Sequence, residues 1–310
     1  MSVTYHDTKP EGMELLCCER RLKTETKAYQ DPVLCTDQAL QSSLRLEDRY
    51  TISSSYFNCL QKELKPYMRK IVATWMWEVC EEERCQQDVF PLAINCLDRF
   101  LSLVKIRKSQ LQLVGAVCLF LASKVRQTRC ISAVKLCGYT DNSVTLEELL
   151  NWELLLLSRL KWDVSAVTPN DFIEPILQKL PLVSGFKVVR NHAETFIALC
   201  SIDFNFSMYP PSMVAAASIG AAVQGLLWLD KQWSSQKELL TRLHQILGIE
   251  MDCLRHCLEQ VEEMVSSNLS STSGAQVVPS AMKDSNKLMN IADFESTKPP
   301  TPTDLQDVHF

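Results

Sequence analysis

The chain has 310 residues, 46% of them hydrophobic and 22% charged, and a formal net charge of −5. That length fits two domains or one domain with tails, the apolar fraction is enough for buried cores, and an acidic balance offers no basic face to nucleic-acid phosphates. With 8 glycines in all, and none of GxGxxG, GxSxG or GxxxxGK followed by Ser or Thr, the glycine-dependent phosphate loops and nucleophile elbows are excluded. The 13 cysteines are odd in number. Cys80, Cys96, Cys118, Cys137 and Cys200 fall inside apolar runs, where reduced cysteine packs as a small hydrophobe. The first dozen residues are polar and charged and do not read as a signal peptide, so a reducing compartment is expected.

Residues 1–36 carry scattered charges without an apolar period and are expected to be a flexible N-terminal segment. A short helix is predicted from Asp37 to about Glu47, with Leu40, Leu44 and Leu46 as its apolar positions. From Pro66 to Glu83 a period of 3.6 places Met68, Ile71, Val72, Trp75 and Val79 in one stripe, with Trp77 on the opposite side. Asp88 is the expected cap of the next helix, with Pro91 in its first turn. Ser109 to Arg126 is apolar all round from Leu113 to Ala122. Such a helix needs neighbours on every side, and it falls short of the roughly 20 residues of a membrane span. A fourth helix runs from about Ser132 to Cys137. A fifth, Thr145 to Leu160, opens on a capping box of Thr145 and Glu148.

After Trp162 the pattern starts again. Asn170 is expected to cap a helix to about Lys179, followed by helices over Lys187–Ile202, Ser212–Trp228, Ser235–Leu247 and Glu250–Val265. LVGAVCLFLASK from Leu113 and MVAAASIGAAVQ from Met213 have the same nearly all-apolar character, so the chain reads as a repeat of about a hundred residues. The expectation is an all-α protein with an N-terminal domain at 37–164, a C-terminal domain at 165–268 and a disordered, Ser/Thr/Pro-rich tail at 269–310.

Several constellations could carry function. Lys124 closes the most buried helix and Glu153 sits midway along the fifth. Both border long apolar runs, as charges do on the rim of a docking surface, although long side chains also lie as solvated charges beside apolar surface. In LLCCE, the two-residue spacing of Leu15, Cys17 and Glu19 puts three side chains on one side of an extended segment, a form suited to a peptide groove. Thr301 precedes Pro302 in the tail and is open to proline-directed kinases. Cys253, His256 and Cys257 have a metal-like spacing but lack a fourth ligand, so no metal or other cofactor is expected. The five histidines have no nucleophile arrangement around them, and no enzyme is expected.

MRKIVATWMWEVCEEERC, PLAINCLDRFLS, LQLVGAVCLFLASK and NWELLLLSRLKW, in this order, resemble the cyclin box. MELLCCE, KLCGYTDNS and YPPSMVAAASIGAAVQGL make the chain similar to the D-type cyclins. That resemblance implies a cyclin fold of two tandem five-helix boxes, and an activating subunit for cyclin-dependent kinases four and six acting on retinoblastoma-type pocket proteins at the G1/S transition. Carried over residue by residue, it implies kinase contacts at Lys124 and Glu153 and pocket-protein binding through Leu15, Cys17 and Glu19. It implies a substrate-docking groove along Met68, Ile71, Val72 and Trp75 with Glu78 and Gln112 at its rim, and a structural pair of Arg69 and Asp98 bracing the first two helices. Kinase-inhibitor proteins, and a ubiquitin ligase reading phosphorylated Thr301, are the further partners implied. Residence in nucleus and cytoplasm is implied as well, with no direct nucleic-acid or membrane contact.

The sequence departs from the usual family residues at Gln127, Cys130 and Val134, beside the implied kinase contact, and at Trp77. The departures at Gln127, Cys130 and Val134 point to altered kinase affinity or choice, and to an atypical D-type member. The alternative reading is a cyclin-fold scaffold or transcriptional regulator that no longer activates a kinase. Thr301→Ala is expected to lengthen the protein's half-life in a cycloheximide chase, and an unchanged half-life would remove the tail threonine from any role in turnover.

Overall fold

The protein is described by a computed structural model, which covers residues 36–52, 54–181, 185–225 and 236–272. Among these residues there are twelve α-helices and no strand. The first box comprises α3 (Pro66–Glu82), α4 (Val89–Leu103), α5 (Leu111–Arg126), α6 (Ala133–Tyr139) and α7 (Leu146–Arg159). The second comprises α8 (Pro169–Lys179), α9 (Phe186–Ile202), α10 (Pro211–Gly225), α11 (Gln236–Leu247) and α12 (Met251–Thr272). Two further helices precede them, α1 (Asp37–Tyr50) and the four-residue α2 (Tyr56–Cys59).

Each box wraps four helices around a central one, and composition decides which helix is central. In α5 every residue from Leu111 to Ser123 is buried except Gln112, and in α10 every residue from Pro211 to Val223 is buried. Small residues allow the close crossing of α3 over α5: a Cβ on Gly115 would lie 2.8 Å from Cγ1 of Val72 and 3.2 Å from Sδ of Met76. The two cores are separate clusters, yet Ala198 and Ile202 of α9 reach into the first and Leu40 of α1 belongs to the second.

Helix ends follow local chemistry. Thr145 and Glu148 form the expected capping box of α7, with the Glu148 amide donating to Thr145 Oγ1 at 3.2 Å and the Thr145 amide to the Glu148 carboxylate at 3.0 Å. Two expected caps are corrected. At α8 the Thr168 amide donates to Asp171 at 2.7 Å, so the helix starts one residue before Asn170, whose side-chain amide donates instead to the Gln87 carbonyl at 3.1 Å. At α4 Asp88 occupies the cap position but makes no cap hydrogen bond with its side chain. Its carboxylate lies 3.7 Å from Arg126, which binds Asp171 at 2.9 Å and ties the end of α5 to the start of the second box.

The first helix also differs from expectation. Leu40 is buried and Leu44 half-buried, but Leu46 is exposed and Glu47 is buried in its place. The spacing 40, 44, 47 is a true helical stripe, and Leu46 falls off it. The Glu47 carboxylate accepts from the Ser212 amide at 2.7 Å and its hydroxyl at 2.8 Å, capping the central helix of the second box from outside that box. Burial holds this carboxyl above its ordinary value, although the bonds from Ser212 work against that rise. Trp77 is half-buried, not misplaced: its ring packs 6.0 Å from Phe90 and its N–H donates to Glu81 at 3.2 Å.

The boxes meet at Arg69, which is fully buried. Its Nε and Nη2 donate to the two oxygens of Asp98 at 2.9 and 2.6 Å. Its Nη1 donates to the carbonyls of Ser201 and Ile202 at 2.9 and 2.6 Å, at the end of α9. Asp98 also accepts from Tyr56 at 2.7 Å and from Ser207 at 2.9 Å. Burial alone would favour the neutral guanidine, but the Asp98 charge more than offsets it and Arg69 stays protonated. The pair expected to brace two helices therefore fastens both boxes. Arg69→Leu is expected to lower unfolding free energy by about 3–5 kcal/mol, since it strands the Asp98 carboxylate in the core; guanidinium denaturation measures this, and a loss within about 1 kcal/mol would contradict it.

Candidate functional site

Lys124, in the last turn of α5, and Glu153, midway along α7, meet at the surface. The Lys124 ammonium donates to Glu153 Oε1 at 2.6 Å and lies 3.7 Å from the centroid of the Phe120 ring, one turn back along α5. Phe120 is buried, whereas the Lys124 side chain is 39% exposed and that of Glu153 13% exposed. The cation is thus held by a carboxylate on one side and a π face on another, with part of it still open to solvent.

The surroundings are unusually apolar for a surface. Positions 146, 150 and 154 of α7 share a helical face with Glu153, and Leu146, Leu150 and Leu154 are all exposed, Leu154 by 61%. Val125, beside Lys124, is exposed too. An ion pair flanked by uncovered leucines has the composition of an interface that another protein completes.

The loop after α5 is held from below. Ser123 is buried, donates to the Phe120 carbonyl at 2.8 Å and accepts the Ile131 amide at 3.1 Å. Gln127 accepts the Gln86 amide at 3.2 Å and donates to the Arg129 carbonyl at 2.6 Å, so it works as a loop brace. Cys130 and Val134 are exposed on this side of the box. Farther along, Lys135 and Tyr139 both bond Glu83 at the end of α3, at 2.9 and 2.7 Å. Burial would raise the Glu83 carboxyl, but those two hydrogen bonds outweigh it and hold it below the usual value.

The stripe on α3 divides in two. Val72 and Trp75 are core residues, with the Trp75 indole N–H donating to the Tyr139 carbonyl at 3.2 Å. That corrects the expectation of a groove lined by all four apolar residues: Met68 is half-buried and Ile71 exposed, so these two are the reachable part. Glu78 is exposed in line with Ile71, partial desolvation raising its carboxyl, and Gln112 is half-buried. Leu15, Cys17, Glu19 and Thr301 lie outside the described residues. Cys253 and His256 are exposed while Cys257 is buried in the second core, and no group of three metal-ligating side chains is gathered among the described residues. No helix among them is long and apolar enough to cross a membrane.

Some contributors escaped the sequence reading. In the sequence Phe120 is one member of an apolar run and nothing local distinguishes it; its role appears when Lys124, four residues on, folds back over its ring. Tyr56 sits in a four-residue helix too short to show a period. Gln127 stands out in the sequence only as a departure, because the two backbone segments its carboxamide braces come together only in the fold.

Two tandem helical boxes, each built around one buried central helix, define a class. The cyclin N-terminal domain matches residues 38–165 and the cyclin C-terminal domain residues 167–297. A solved viral cyclin from herpesvirus saimiri superposes with a TM-score of 0.62 at 26% identity, covering 74% of this chain and 96% of that one. The G1/S-specific cyclin-D2 of Gallus gallus is 50% identical over 301 residues, 96% of this chain and all of the relative. The G1/S-specific cyclin-D1 of Xenopus laevis is likewise 50% identical over 301 residues, with the same coverage. The G1/S-specific cyclin-D3 of Bos taurus is 50% identical over 300 residues, again 96% of this chain and all of the relative. The chain belongs to the cyclin family, as a D-type member. Cyclins are regulatory subunits and not themselves enzymes.

Because Lys124 is partly solvated, its pair with Glu153 should matter little to folding. Lys124→Ala is expected to cost no more than about 1 kcal/mol in thermal or chemical unfolding. A loss above about 2 kcal/mol would make the pair a structural element instead of a surface held ready for a partner.

Proposed function

We propose that the chain is the activating subunit of cyclin-dependent kinases four and six and directs them to phosphorylate retinoblastoma-type pocket proteins at the G1/S transition. The observation that carries this reading is the Lys124–Glu153 pair at 2.6 Å beside exposed Leu150 and Leu154, in a chain of the D-type cyclin family. In this reading the kinase covers the leucines, and its polar groups join or replace the contact between the two charges. The cyclin does no chemistry; it holds the kinase's mobile helix and activation segment in their catalytic arrangement, a shift of population.

The remaining sites fit the same assignment. Leu15, Cys17 and Glu19 would hold a pocket protein, and Met68 and Ile71 with Glu78 and Gln112 would receive an apolar substrate motif. Kinase-inhibitor proteins would engage the assembled complex. Phosphorylated Thr301 would recruit a ubiquitin ligase and govern exchange between nucleus and cytoplasm.

Lys124→Glu places two carboxylates against each other and removes the cation from the docking surface. It is expected to weaken kinase binding by about 2–5 kcal/mol, enough to abolish capture of active kinase from co-expressing cells. The test is a pull-down with kinase four or six followed by an assay on a retinoblastoma fragment. Undiminished capture by the variant would overturn the docking assignment, and wild-type capture without phosphorylation would favour the scaffold reading.

A further inference from the structure

The end of α3 carries two cysteines whose placement the docking function does not use. The helix closes in a Schellman turn: Arg84 takes a left-handed φ of 51°, its amide donates to the Glu81 carbonyl at 3.1 Å, and the Cys85 amide donates to the Cys80 carbonyl at 2.9 Å. In such a turn the residues joined by the outer hydrogen bond bring their side chains together, normally as an apolar contact. Here both are thiols. A direct backbone bond between two residues also sets their Cα atoms near the separation a disulfide spans, about 4.4–6.8 Å.

The two sulfurs differ in access. Cys80 is buried in the first core, while Cys85 is half-buried and reachable from the surface. We propose that Cys80 and Cys85 form a reversible redox site, in which Cys85 is attacked by a hydroperoxide and Cys80 resolves it into an intrachain disulfide.

The electronic arrangement runs the same way. The thiol–thiol interaction holds Cys80 well above the usual thiol range, and burial adds to that rise. The same interaction pulls Cys85 below its ordinary value, and a hydrogen bond with Gln127 assists although burial opposes. Of the two thiols Cys85, the more accessible, is therefore the one that ionises more readily. Through Gln127 the reactive sulfur is one hydrogen bond from the loop that follows Lys124.

In the first step the Cys85 thiolate attacks one oxygen of the hydroperoxide. An S–O bond forms, the O–O bond breaks, and the departing alkoxide or hydroxide takes up a proton. In the second, the Cys80 sulfur attacks the sulfenic sulfur of Cys85; the S–S bond forms, the S–O bond breaks, and hydroxide leaves as water with the Cys80 proton. Two thiols lose two electrons and the hydroperoxide gains them, giving one disulfide, one alcohol or water and one further water.

The full chain treated briefly with hydrogen peroxide, alkylated and digested with trypsin provides the test. Cleavage after Arg84 separates the two cysteines, so the disulfide appears as two peptides held together that part on adding dithiothreitol. Cys85 is expected to be consumed several-fold faster than the exposed Cys59 and Cys130, and in linkage to Cys80. Cys85→Ser should abolish the linked pair, while Cys80→Ser should leave a Cys85 sulfenic acid that dimedone captures. Cys85 reacting no faster than Cys59 and Cys130, or linking to another cysteine, would overturn the proposal.

Discussion

A buried arginine is the constraint around which the two boxes are built. Arg69 has five N–H donors and no acceptor, and inside a protein each donor needs a partner. The Asp98 carboxylate, two backbone carbonyls at the end of α9 and the Ser207 hydroxyl meet that need from three different stretches of chain. None can be withdrawn without stranding a charge or a donor. The relative placement of α3, α4 and α9 is thus fixed by hydrogen-bond directions as well as by the apolar contacts of Ala198 and Ile202. Apolar packing tolerates sliding between helices; a bidentate fork does not.

That rigidity matters for a protein whose work is to present a surface. α5 is surrounded by its box, and its last turn carries Lys124. α7 packs against it and carries Glu153 and the exposed leucines. The ion pair between Lys124 and Glu153 holds two long side chains in one arrangement, so a partner that docked there as proposed would find less side-chain freedom to remove. The Phe120 ring beneath the ammonium adds a second contact that holds the cation in place.

Much of this was legible in the residues. The all-apolar runs from Leu113 and Met213 marked the central helices because no amphipathic helix could carry them, and the capping box at Thr145 gave the start of α7. Lys124 and Glu153 stood out because each interrupts apolar sequence. Other features depended on partners far along the chain. Glu47 reads as a surface charge until Ser212 supplies its donors, and Thr168 outcompetes Asn170 as a cap because Asp171 answers it. Val72 and Trp75 sit in the same stripe as Ile71, and only the arrival of α5 at Gly115 and of Tyr139 decides which of them is covered. Periodicity identifies a face; it does not say how much of that face a neighbour takes.

The contact between Glu47 and Ser212 also bears on how the protein is made. The first helix carries the cap for α10, bonding its second residue, Ser212, 165 positions later. During synthesis at about 5–20 residues per second, α1 leaves the ribosome roughly 10–30 s before its partner exists. For that interval the Glu47 carboxylate lacks its donors, while the Tyr50 end of the same helix can already dock on the first box through Asn95 and Asp163. The topology therefore splits the docking of α1 in time: its Tyr50 end has a partner once the first box is made, whereas its bond to Ser212 can close only after α10 exists.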